Sequence, residues 1–297
     1  MSVIEINGLT KDYGNNKGIF DLSFRVEEGE VFGYLGPNGA GKTTTIRHLM
    51  GFVTPDKGNA YILGNDCIKE TDIIMKELGY LPAEMAFFDG MNGMDFLEFM
   101  AKMRGMSNTS LRDKLIDMFD LNAKISIRKM SKGMKQKLGI VCAFMHDPKV
   151  LLLDEPTSGL DPLMQKIFAE LILEEKSKGK TILMSSHIFE EIERTCDRVG
   201  IIKQGHLVAI ENIKNLKEKR RRTYLITFDS PETAKEFMKK NHSANVEITG
   251  AVAKVTIMGN IAALIRELAN FNVLDLDTER SSLEDVFMQY YGDSVNH

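Results

Sequence analysis

A glycine-rich loop that follows an apolar run is the feature that most constrains the fold of this chain. The loop reads GPNGAGKTTT (residues 36–45), and it lies between the apolar run VFGYL (31–35) and KTTTIRHLMG (42–51), which has the composition of a helix. A nearly continuous apolar run of this length is typical of a strand buried on both faces of a sheet. The sequence therefore predicts a buried strand, a tight loop and a helix that ends at Gly51.

The loop also matches the phosphate-binding pattern G-x-x-x-x-G-K-[ST], through Gly36, Gly41, Lys42 and Thr43. Glycine tolerates the backbone angles that turn N–H groups inward, and these groups form a positive site with the N-terminus of the helix. In such loops the lysine reaches the β- and γ-phosphates and the Thr hydroxyl binds Mg²⁺. A chance match has odds of about one in a hundred at average residue frequencies, so a loop that merely turns is the weaker alternative.

An acidic pair, Asp154 and Glu155, ends the apolar run VLLLDE. Successive side chains of a strand point to opposite faces, so the two carboxylates need not share a role. Asp154 can hold Mg²⁺ together with Thr43, and Glu155 can act as the general base on the attacking water. The alternative is an acidic pair in solvent, which is weaker after a phosphate loop and an apolar strand.

Strand-like and helix-like segments alternate through residues 1–216, which we predict to form one α/β domain with a mixed, mostly parallel sheet. Apolar runs at residues 150–154, 181–186 and 199–203 supply further strands of this sheet. Residues 85–145 are instead rich in Met and Phe and predict a helical subdomain.

The basic stretch LKEKRRR (216–222) marks a break in composition. We interpret it as a solvated linker, with contact to anionic lipid headgroups as the weaker alternative. After it, residues 223–297 predict a strand, a helix, two strands, a helix and a strand, which is the order of a small ferredoxin-like α+β domain. Its hairpin turns at Gly250, and its last helix, SLEDVFMQYYG, is capped by Ser281 or Ser282.

Composition narrows the class of protein. A net charge of −4 over 297 residues gives no bias toward nucleic acid or anionic membranes, and we expect no nucleic acid partner. No apolar run approaches the roughly 18 residues that a membrane span needs, and the N-terminus lacks the order of a signal peptide. The three cysteines have no ligand-like spacing and predict reduced thiols. These features predict an intracellular protein that does not itself cross a bilayer.

The ordered motifs of residues 2–215 resemble those of the nucleotide-binding subunit of ABC transporters. Besides the phosphate loop and the acidic pair, RKMSKGMKQKLGI (128–140) resembles the family signature, and SGLDP (158–162) resembles the loop that crosses to a partner subunit. The predicted nucleotide-binding residues are Tyr13, Gly36, Pro37, Asn38, Gly39, Ala40, Gly41, Lys42, Thr43, Thr44, Ser131, Gly133 and Asp161. The predicted catalytic residues are Lys42, Glu155 and His187.

The resemblance implies a role for each added residue. Tyr13 stacks on the adenine, with an ordinary core Tyr as the alternative, and His187 contacts the γ-phosphate. Ser131 and Gly133 face the phosphates of an ATP held by another subunit, with a solvated basic helix start as the alternative. Asp161 lies in the crossing loop. Two ATP molecules are then enclosed by two ATP-binding subunits, in a homodimer or a pseudo-dimer.

Three positions depart from the usual family motifs. Ala83, in GYLPAE, occupies the place of a Gln that helps to hold Mg²⁺ and the attacking water and connects to the membrane partner. Either Glu84 substitutes for this Gln, or the other ligands and water suffice. Lys132 and Met134 replace the usual Gly and Gln of the signature. These variants, with the stretch YLPxE, resemble bacterial two-component exporters associated with peptide-antibiotic resistance and sodium extrusion.

We therefore predict an ATP-hydrolysing motor subunit of an exporter, with ATP and Mg²⁺ as cofactors. Its predicted partners are separate transmembrane permease subunits, at the cytoplasmic face of the cell membrane. Phe87, Phe88 and Met91 are predicted to meet the permease as an adaptable apolar surface, with ordinary core packing as the alternative. The rival interpretation is a soluble ABC-type ATPase that acts in translation or DNA maintenance, or as a nucleotide switch. Proteins of translation or DNA maintenance usually carry two cassettes or a long coiled-coil insertion, and neither pattern is present in this sequence. Ala83 is the one feature that favours the nucleotide switch.

Overall fold

The computed structural model describes residues 1–88, 90–219, 221–240, 245–258 and 261–279. The chain divides into two compact units, Met1–Glu211 and a second that begins at Asn212. This division lies a few residues before the limit of 216 that composition suggested.

The first unit is an α/β domain. Its strands are β1 (Ser2–Asp12), β2 (Gly18–Glu27), β3 (Val31–Leu35), β4 (Lys57–Ile62), β5 (Asn65–Asp66), β6 (Leu78–Leu81), β7 (Val150–Asp154), β8 (Thr181–Ser186), β9 (Arg198–Lys203) and β10 (His206–Asn212). Its helices are α1 (Lys42–Leu49), α2 (Thr71–Glu77), α3 (Gly93–Met103), α4 (Ser110–Met118), α5 (Lys132–Phe144), α6 (Pro162–Ser177) and α7 (Phe189–Thr195).

The central sheet of this unit has the order β10-β9-β3-β8-β7-β6. β3 runs parallel to β8 and β9, and β7 runs parallel to β6 and β8. All residues of β3, β7 and β8 are buried, as expected for strands that are covered on both faces. An antiparallel sheet of order β2-β1-β4-β5 adds Ile4, Leu22 and Phe24 to the same core. The predicted mixed α/β fold is confirmed.

The carboxyl ends of β3, β7 and β8 lie at one edge of the central sheet. Leu35 is paired with Ser186, and Asp154 is paired with Ser185. Because neighbouring parallel strands end at the same edge, the loops that follow them converge. This edge is therefore where the phosphate loop, the acidic pair and His187 meet.

The segment that was predicted to be a helical subdomain contains α3, α4 and α5, and both α3 and α4 contact α5. α3 begins after Asn92, whose side chain caps the helix by accepting the N–H of Asp95 at 2.9 Å. α5 begins after Ser131, within the signature motif. The signature is thus the start of a helix that runs into the core of the unit.

The second unit is an α+β domain. Its elements are α8 (Ile213–Lys219), β11 (Arg221–Phe228), α9 (Pro231–Lys240), β12 (Asn245–Thr249), β13 (Val252–Met258), α10 (Ala262–Leu268) and β14 (Val273–Glu279). The sheet order β12-β13-β11-β14, with antiparallel pairs, is that of the predicted ferredoxin-like domain. Phe237 of α9 and Leu264 of α10 pack in one core with Phe228. The last predicted helix, with its caps Ser281 and Ser282, lies outside the described residues.

The basic stretch at residues 216–222 is not the linker that composition suggested. Its described residues belong to the end of α8 and the beginning of β11. Ile213 and Leu216 are buried, and apolar side chains one helical turn apart stabilise a helix by burial. Their burial favours the helix in which the basic stretch begins.

Candidate functional site

A cleft of about 520 Å³ opens beside the carboxyl end of β3, and this volume is typical of a small-ligand site. Tyr13, in the loop between β1 and β2, lines the cleft with 55% of its surface exposed, which excludes a core Tyr. The described residues that line the cleft are Tyr13, Asn16, Lys17, Gly18, Asn38, Gly39, Ala40, Gly41, Lys42, Thr43, Thr44, Ala83, Glu155 and Gln204. The phosphate loop therefore forms much of its wall.

The conformation of the phosphate loop requires glycine at three positions. Gly39 and Gly41 have positive φ angles of 79° and 111°, which most side chains avoid. A Cβ atom on Gly36 would lie 2.4 Å from the carbonyl oxygen of Ile202 on β9. Because α1 begins at Lys42, the unpaired N–H groups of its first turn lie at the cleft and can bind an anion.

Lys42 joins the phosphate loop to the acidic pair. Its side chain is nearly buried, and Nζ donates to the carbonyl oxygens of Gly36 and Pro37 at 2.6 and 3.2 Å. The same atom lies 3.1 Å from Oε1 of Glu155. The ammonium group is therefore held at the cleft by oxygen atoms with which phosphate oxygens can compete.

Asp154 ends β7 and is fully buried. Its Oδ1 accepts a hydrogen bond from Ser185 Oγ at 2.5 Å, whereas its Oδ2 has no hydrogen-bond partner. Burial raises the pKa of Asp154, and the hydroxyl groups of Ser185 and Thr43 oppose this rise. A buried carboxylate oxygen without a partner, close to a threonine hydroxyl, is a pair of hard oxygen donors that suits Mg²⁺. These residues fit the predicted metal.

Glu155 follows in a turn that places its carboxylate in the cleft. Its φ angle is 49°, which is uncommon for a residue other than glycine. Its N–H donates to Ser185 Oγ at 3.0 Å, and its Oε2 lies 2.6 Å from Nδ1 of His187. Lys42 and His187 thus contact the two oxygen atoms of one carboxylate. The structure brings the three predicted catalytic residues together.

Gln136 and Ser185 support this turn, and neither was expected from the motifs. Gln136 is buried in α5 and donates from Nε2 to the carbonyl oxygen of Pro156 at 2.7 Å. It therefore ties the signature helix to the residue that follows Glu155. Helical spacing was the sequence signal that could have identified Gln136 as buried, because it puts Gln136 on the same face of α5 as the buried Ile140.

The signature and crossing-loop residues lie apart from this cleft, because none of them is among the described residues that line it. Ser131 caps α5 by accepting a backbone N–H at 3.2 Å, and Asp161 caps α6 in the same way at 3.0 Å. A Cβ atom on Gly133 would lie 2.7 Å from the carbonyl oxygen of Gly159. The signature helix therefore packs closely on the crossing loop, and this packing requires glycine.

Ala83 lines the cleft, at the place where a Gln is usual. Its methyl group neither donates nor accepts a hydrogen bond. The neighbouring Glu84 is exposed and is absent from the described residues that line the cleft. The geometry gives no support to the alternative in which Glu84 replaces the missing Gln.

The three predicted permease contacts differ in exposure. Phe88 is 53% exposed, whereas Phe87 and Met91 are half-buried. The ring of Phe87 packs edge-on against Phe96 at 5.1 Å, and that of Phe88 packs edge-on against Phe99 at 5.5 Å. These aromatic rings form a cluster at the beginning of the helical subdomain, with Phe88 at its surface.

Comparison with known proteins shows the family of this chain. The family model described as ABC transporter matches residues 19–158. The bacitracin transport ATP-binding protein BcrA of Bacillus licheniformis is 33% identical over 299 residues, which cover 98% of each chain. A solved ATP binding subunit of an ABC transporter is 31% identical, with a TM-score of 0.66 over 73% of this chain and 92% of that one.

A dimeric bacterial ABC transporter cassette, 21% identical, shares the fold with a TM-score of 0.64 over 71% of this chain and 98% of its own. The resemblance that the motifs of residues 2–215 indicated is thereby confirmed, and the similarity to BcrA extends over 98% of this chain. The chain belongs to the ATP-binding proteins of ABC transporters, the subunits that bind and hydrolyse ATP to drive transport.

Proposed function

We propose that this subunit powers an exporter by hydrolysing ATP with Mg²⁺ in composite sites between two ATP-binding subunits. The observation that carries the proposal is the contact of Lys42 and His187 with the two carboxylate oxygens of Glu155, at the cleft of the phosphate loop. This arrangement supplies a base, a cation for phosphate and an orienting imidazole at one place.

The cleft suits ATP as substrate. The exposed ring of Tyr13 offers a face on which adenine stacks, and the backbone N–H groups of residues 39–44 surround the phosphates. Lys42 exchanges its contacts with the carbonyl oxygens of Gly36 and Pro37 for contacts with the β- and γ-phosphates. Binding thus replaces contacts of the ammonium group with neutral carbonyl oxygens by contacts with negatively charged phosphate oxygens.

Thr43 and Asp154 would hold Mg²⁺, which neutralises phosphate charge when it is bound. Oδ2 of Asp154 is the available carboxylate oxygen, because Ser185 occupies Oδ1 and fixes the orientation of the group. Ala83 offers no side-chain oxygen to the metal. Water is therefore expected at the remaining ligand positions, as is usual for Mg²⁺ in proteins.

Glu155 accepts the proton of the attacking water. The turn that carries it is held by Ser185, which accepts its N–H, and by Gln136, which binds the next carbonyl oxygen. His187 holds Oε2 at 2.6 Å, which orients the carboxylate and keeps the imidazole close to the place of the γ-phosphate. Preorganised groups of this kind lower the barrier because they need not reorient during the reaction.

The subunits of this family dimerise and work with permeases. We infer that Ser131, Gly133 and Asp161 complete the ATP site of a second ATP-binding subunit, since they lie outside the cleft of their own chain. The partners in transport are separate transmembrane permease subunits, which would hold this chain at the cytoplasmic face of the membrane. Phe88 is the proposed contact with them.

Similarity to BcrA, whose name describes bacitracin transport, supports a role in transport, and we infer that its direction is export. The departures Lys132 and Met134 in the signature, with the stretch YLPxE, point to the same kind of exporter. Within the described ranges of the chain, no helix combines the length and apolarity that a bilayer span requires.

The proposal is tested by Glu155→Gln, which removes the base and keeps the shape of the side chain. Hydrolysis of ATP by the full-length protein should fall by at least about 10²-fold, because a general base contributes that much or more. Binding of ATP, measured with a fluorescent analogue, should be retained.

Glu84→Gln is the matched control, since it makes the same change at an exposed carboxylate outside the cleft. It should leave hydrolysis unchanged. The proposal is wrong if Glu155→Gln retains turnover within a few-fold of the unmodified chain. Tight ATP binding without hydrolysis by the unmodified protein would favour the nucleotide switch.

A further inference from the structure

The residues that flank the contact between Glu155 and His187 are also joined to each other, through a third side chain. Thr157 lies two positions after Glu155, and Ser186 lies immediately before His187. Both Thr157 and Ser186 are buried. Each of them donates its hydroxyl hydrogen to Glu191, in the middle of α7.

The carboxylate of Glu191 uses one oxygen for each partner. Oε1 accepts from Thr157 Oγ1, and Oε2 accepts from Ser186 Oγ at 2.6 Å. Hydrogen bonds to a charged acceptor are about twice as strong as those between neutral groups. A carboxylate can accept at both oxygen atoms at once, which neither an amide nor a hydroxyl does equally well.

These contacts close a ring that contains the catalytic pair. The ring runs from Glu155 along the chain to Thr157, across Glu191 to Ser186, along the chain to His187, and back to Glu155 through the 2.6 Å contact. In a closed ring, the separation of any two members is limited by the others. Glu191 therefore limits how far the loops that carry Glu155 and His187 can move apart.

Glu191 is itself held in place by the elements around it. α7 is anchored by the buried side chains of Phe189 and Ile192, and Thr195 Oγ1 donates to the backbone oxygen of Glu191 at 2.8 Å. Ser186 Oγ also accepts the N–H of Ile188 at 2.9 Å, which shapes the turn around His187. The carboxylate thus joins two loops from an anchored position.

We propose that Glu191 is a positioning residue. By bonding to both loops, after β7 and after β8, it holds Glu155 and His187 at the separation that hydrolysis needs. This inference rests on the proposed function, because it gives Glu191 no role unless Glu155 is the base. Glu191 is not among the described residues that line the cleft, so its influence on the reaction passes through Glu155 and His187.

The test compares three substitutions in the full-length protein. Glu191→Ala removes the hydrogen bonds to Thr157 and Ser186 and should lower kcat about 10- to 100-fold, as expected for a small misplacement of reacting groups. KM for ATP should change less than about twofold, since ground-state binding is untouched. Glu191→Gln, which keeps one carbonyl oxygen as acceptor, should restore a large part of kcat. Glu190→Gln, at an exposed carboxylate of the same helix, is the matched control and should be neutral.

A second measurement separates positioning from a general loss of structure. When Glu191→Ala is added to Glu155→Gln, the residual hydrolysis should fall little further, because the effects of substitutions that act through one group do not add. Thr157→Val should lower kcat in the same direction, with KM unchanged. The inference is wrong if Glu191→Ala has the same kcat as the unmodified chain. It is also wrong if Glu191→Ala lowers kcat by the same factor in the Glu155→Gln variant as in the unmodified chain. Failure of Glu155→Gln to reduce turnover would instead remove the proposed function.

Discussion

The two halves of the ATP site differ in how complete they are within one chain. The phosphate-loop half gathers Lys42, Glu155 and His187 into direct contact around one cleft. The signature half places Ser131 and Asp161 at the beginnings of helices, where each accepts a backbone N–H of its own chain. The first half is therefore ready to bind a phosphate, whereas the second presents its polar groups outward from a helix N-terminus.

The difference shows how one residue can serve the fold and the site at the same time. A Ser hydroxyl that accepts an N–H as a helix cap keeps its own hydrogen free to donate. α5 spans Lys132–Phe144, so its N-terminus carries the partial positive charge of a helix. Ser131 can therefore cap its helix and still donate to a phosphate that another subunit brings to it.

Mixed dimers test whether the two halves of one ATP site come from different subunits. This prediction has the largest expected effect. Lys42→Ala and Ser131→Asp can be placed on different protomers or together on one. If each site takes its loop from one subunit and its signature from the other, the first dimer keeps one intact site and the second keeps none. The first should then hydrolyse ATP about 10²-fold faster or more, because loss of one preorganised electrostatic group at the reacting centre typically costs about 10²- to 10³-fold.

The mixed dimers are separated by two affinity tags, and steady-state phosphate release is measured. Sites contained within one chain would reverse the order of the two dimers, because the doubly substituted protomer would then leave its partner untouched. That reversed order would contradict the composite site. Dimers of unmodified chains with the same tags are the control.

Substitution of Thr43 tests the proposed Mg²⁺ site in the phosphate-loop half. Its expected effect is smaller than that of the mixed dimers. Thr43→Val keeps the shape of the side chain and removes its hydroxyl, so the Mg²⁺ concentration needed for half-maximal hydrolysis should rise about tenfold or more. Thr43→Ser, which keeps the hydroxyl, should stay close to the unmodified chain. Titration of Mg²⁺ at fixed ATP gives both values. An unchanged Mg²⁺ requirement for Thr43→Val would show that Thr43 is not a metal ligand.

The smallest expected effect separates the two roles of Ser131. Ser131→Ala removes the cap of α5 and should lower the free energy of unfolding by about 1 kcal/mol. Ser131→Asp keeps the cap and should retain stability, yet it should impair hydrolysis because its charge repels phosphate. Urea denaturation and ATPase assays on the same preparations measure both. If Ser131→Asp lost as much stability as Ser131→Ala, the Asp side chain would not be capping α5, and the prediction would be wrong.

The motifs predicted the phosphate loop and its strand and helix because each is a local feature. Glycine at positions 36, 39 and 41, an apolar run before them and a helical pattern after them leave few alternatives. The strands β3, β7 and β8 were likewise visible as apolar runs. The convergence of their carboxyl ends then follows from parallel pairing, so the meeting of the loop with Asp154 and Glu155 was predictable.

The roles of Gln136, Ser185 and Glu191 could not be predicted in the same way. Each makes its contact with a residue that is distant in the sequence: Gln136 with Pro156, Ser185 with Asp154, and Glu191 with Thr157. Helical spacing places Gln136 on the buried face of α5, but it does not name the partner of any of these three side chains, which depends on how α5, α7 and the sheet pack. The same holds for the start of the basic stretch, which lies in α8 together with the buried Ile213 and Leu216.

The sequence by itself determined the chemistry of this protein, because glycine, lysine and carboxylate at fixed spacing define a phosphate site through local backbone geometry. Only the tertiary structure decided how that chemistry is held in place, because the supporting contacts span α5, α7 and the ends of β7 and β8. A hydrogen bond between distant segments depends on their packing in three dimensions, and the order of residues along the chain does not record it.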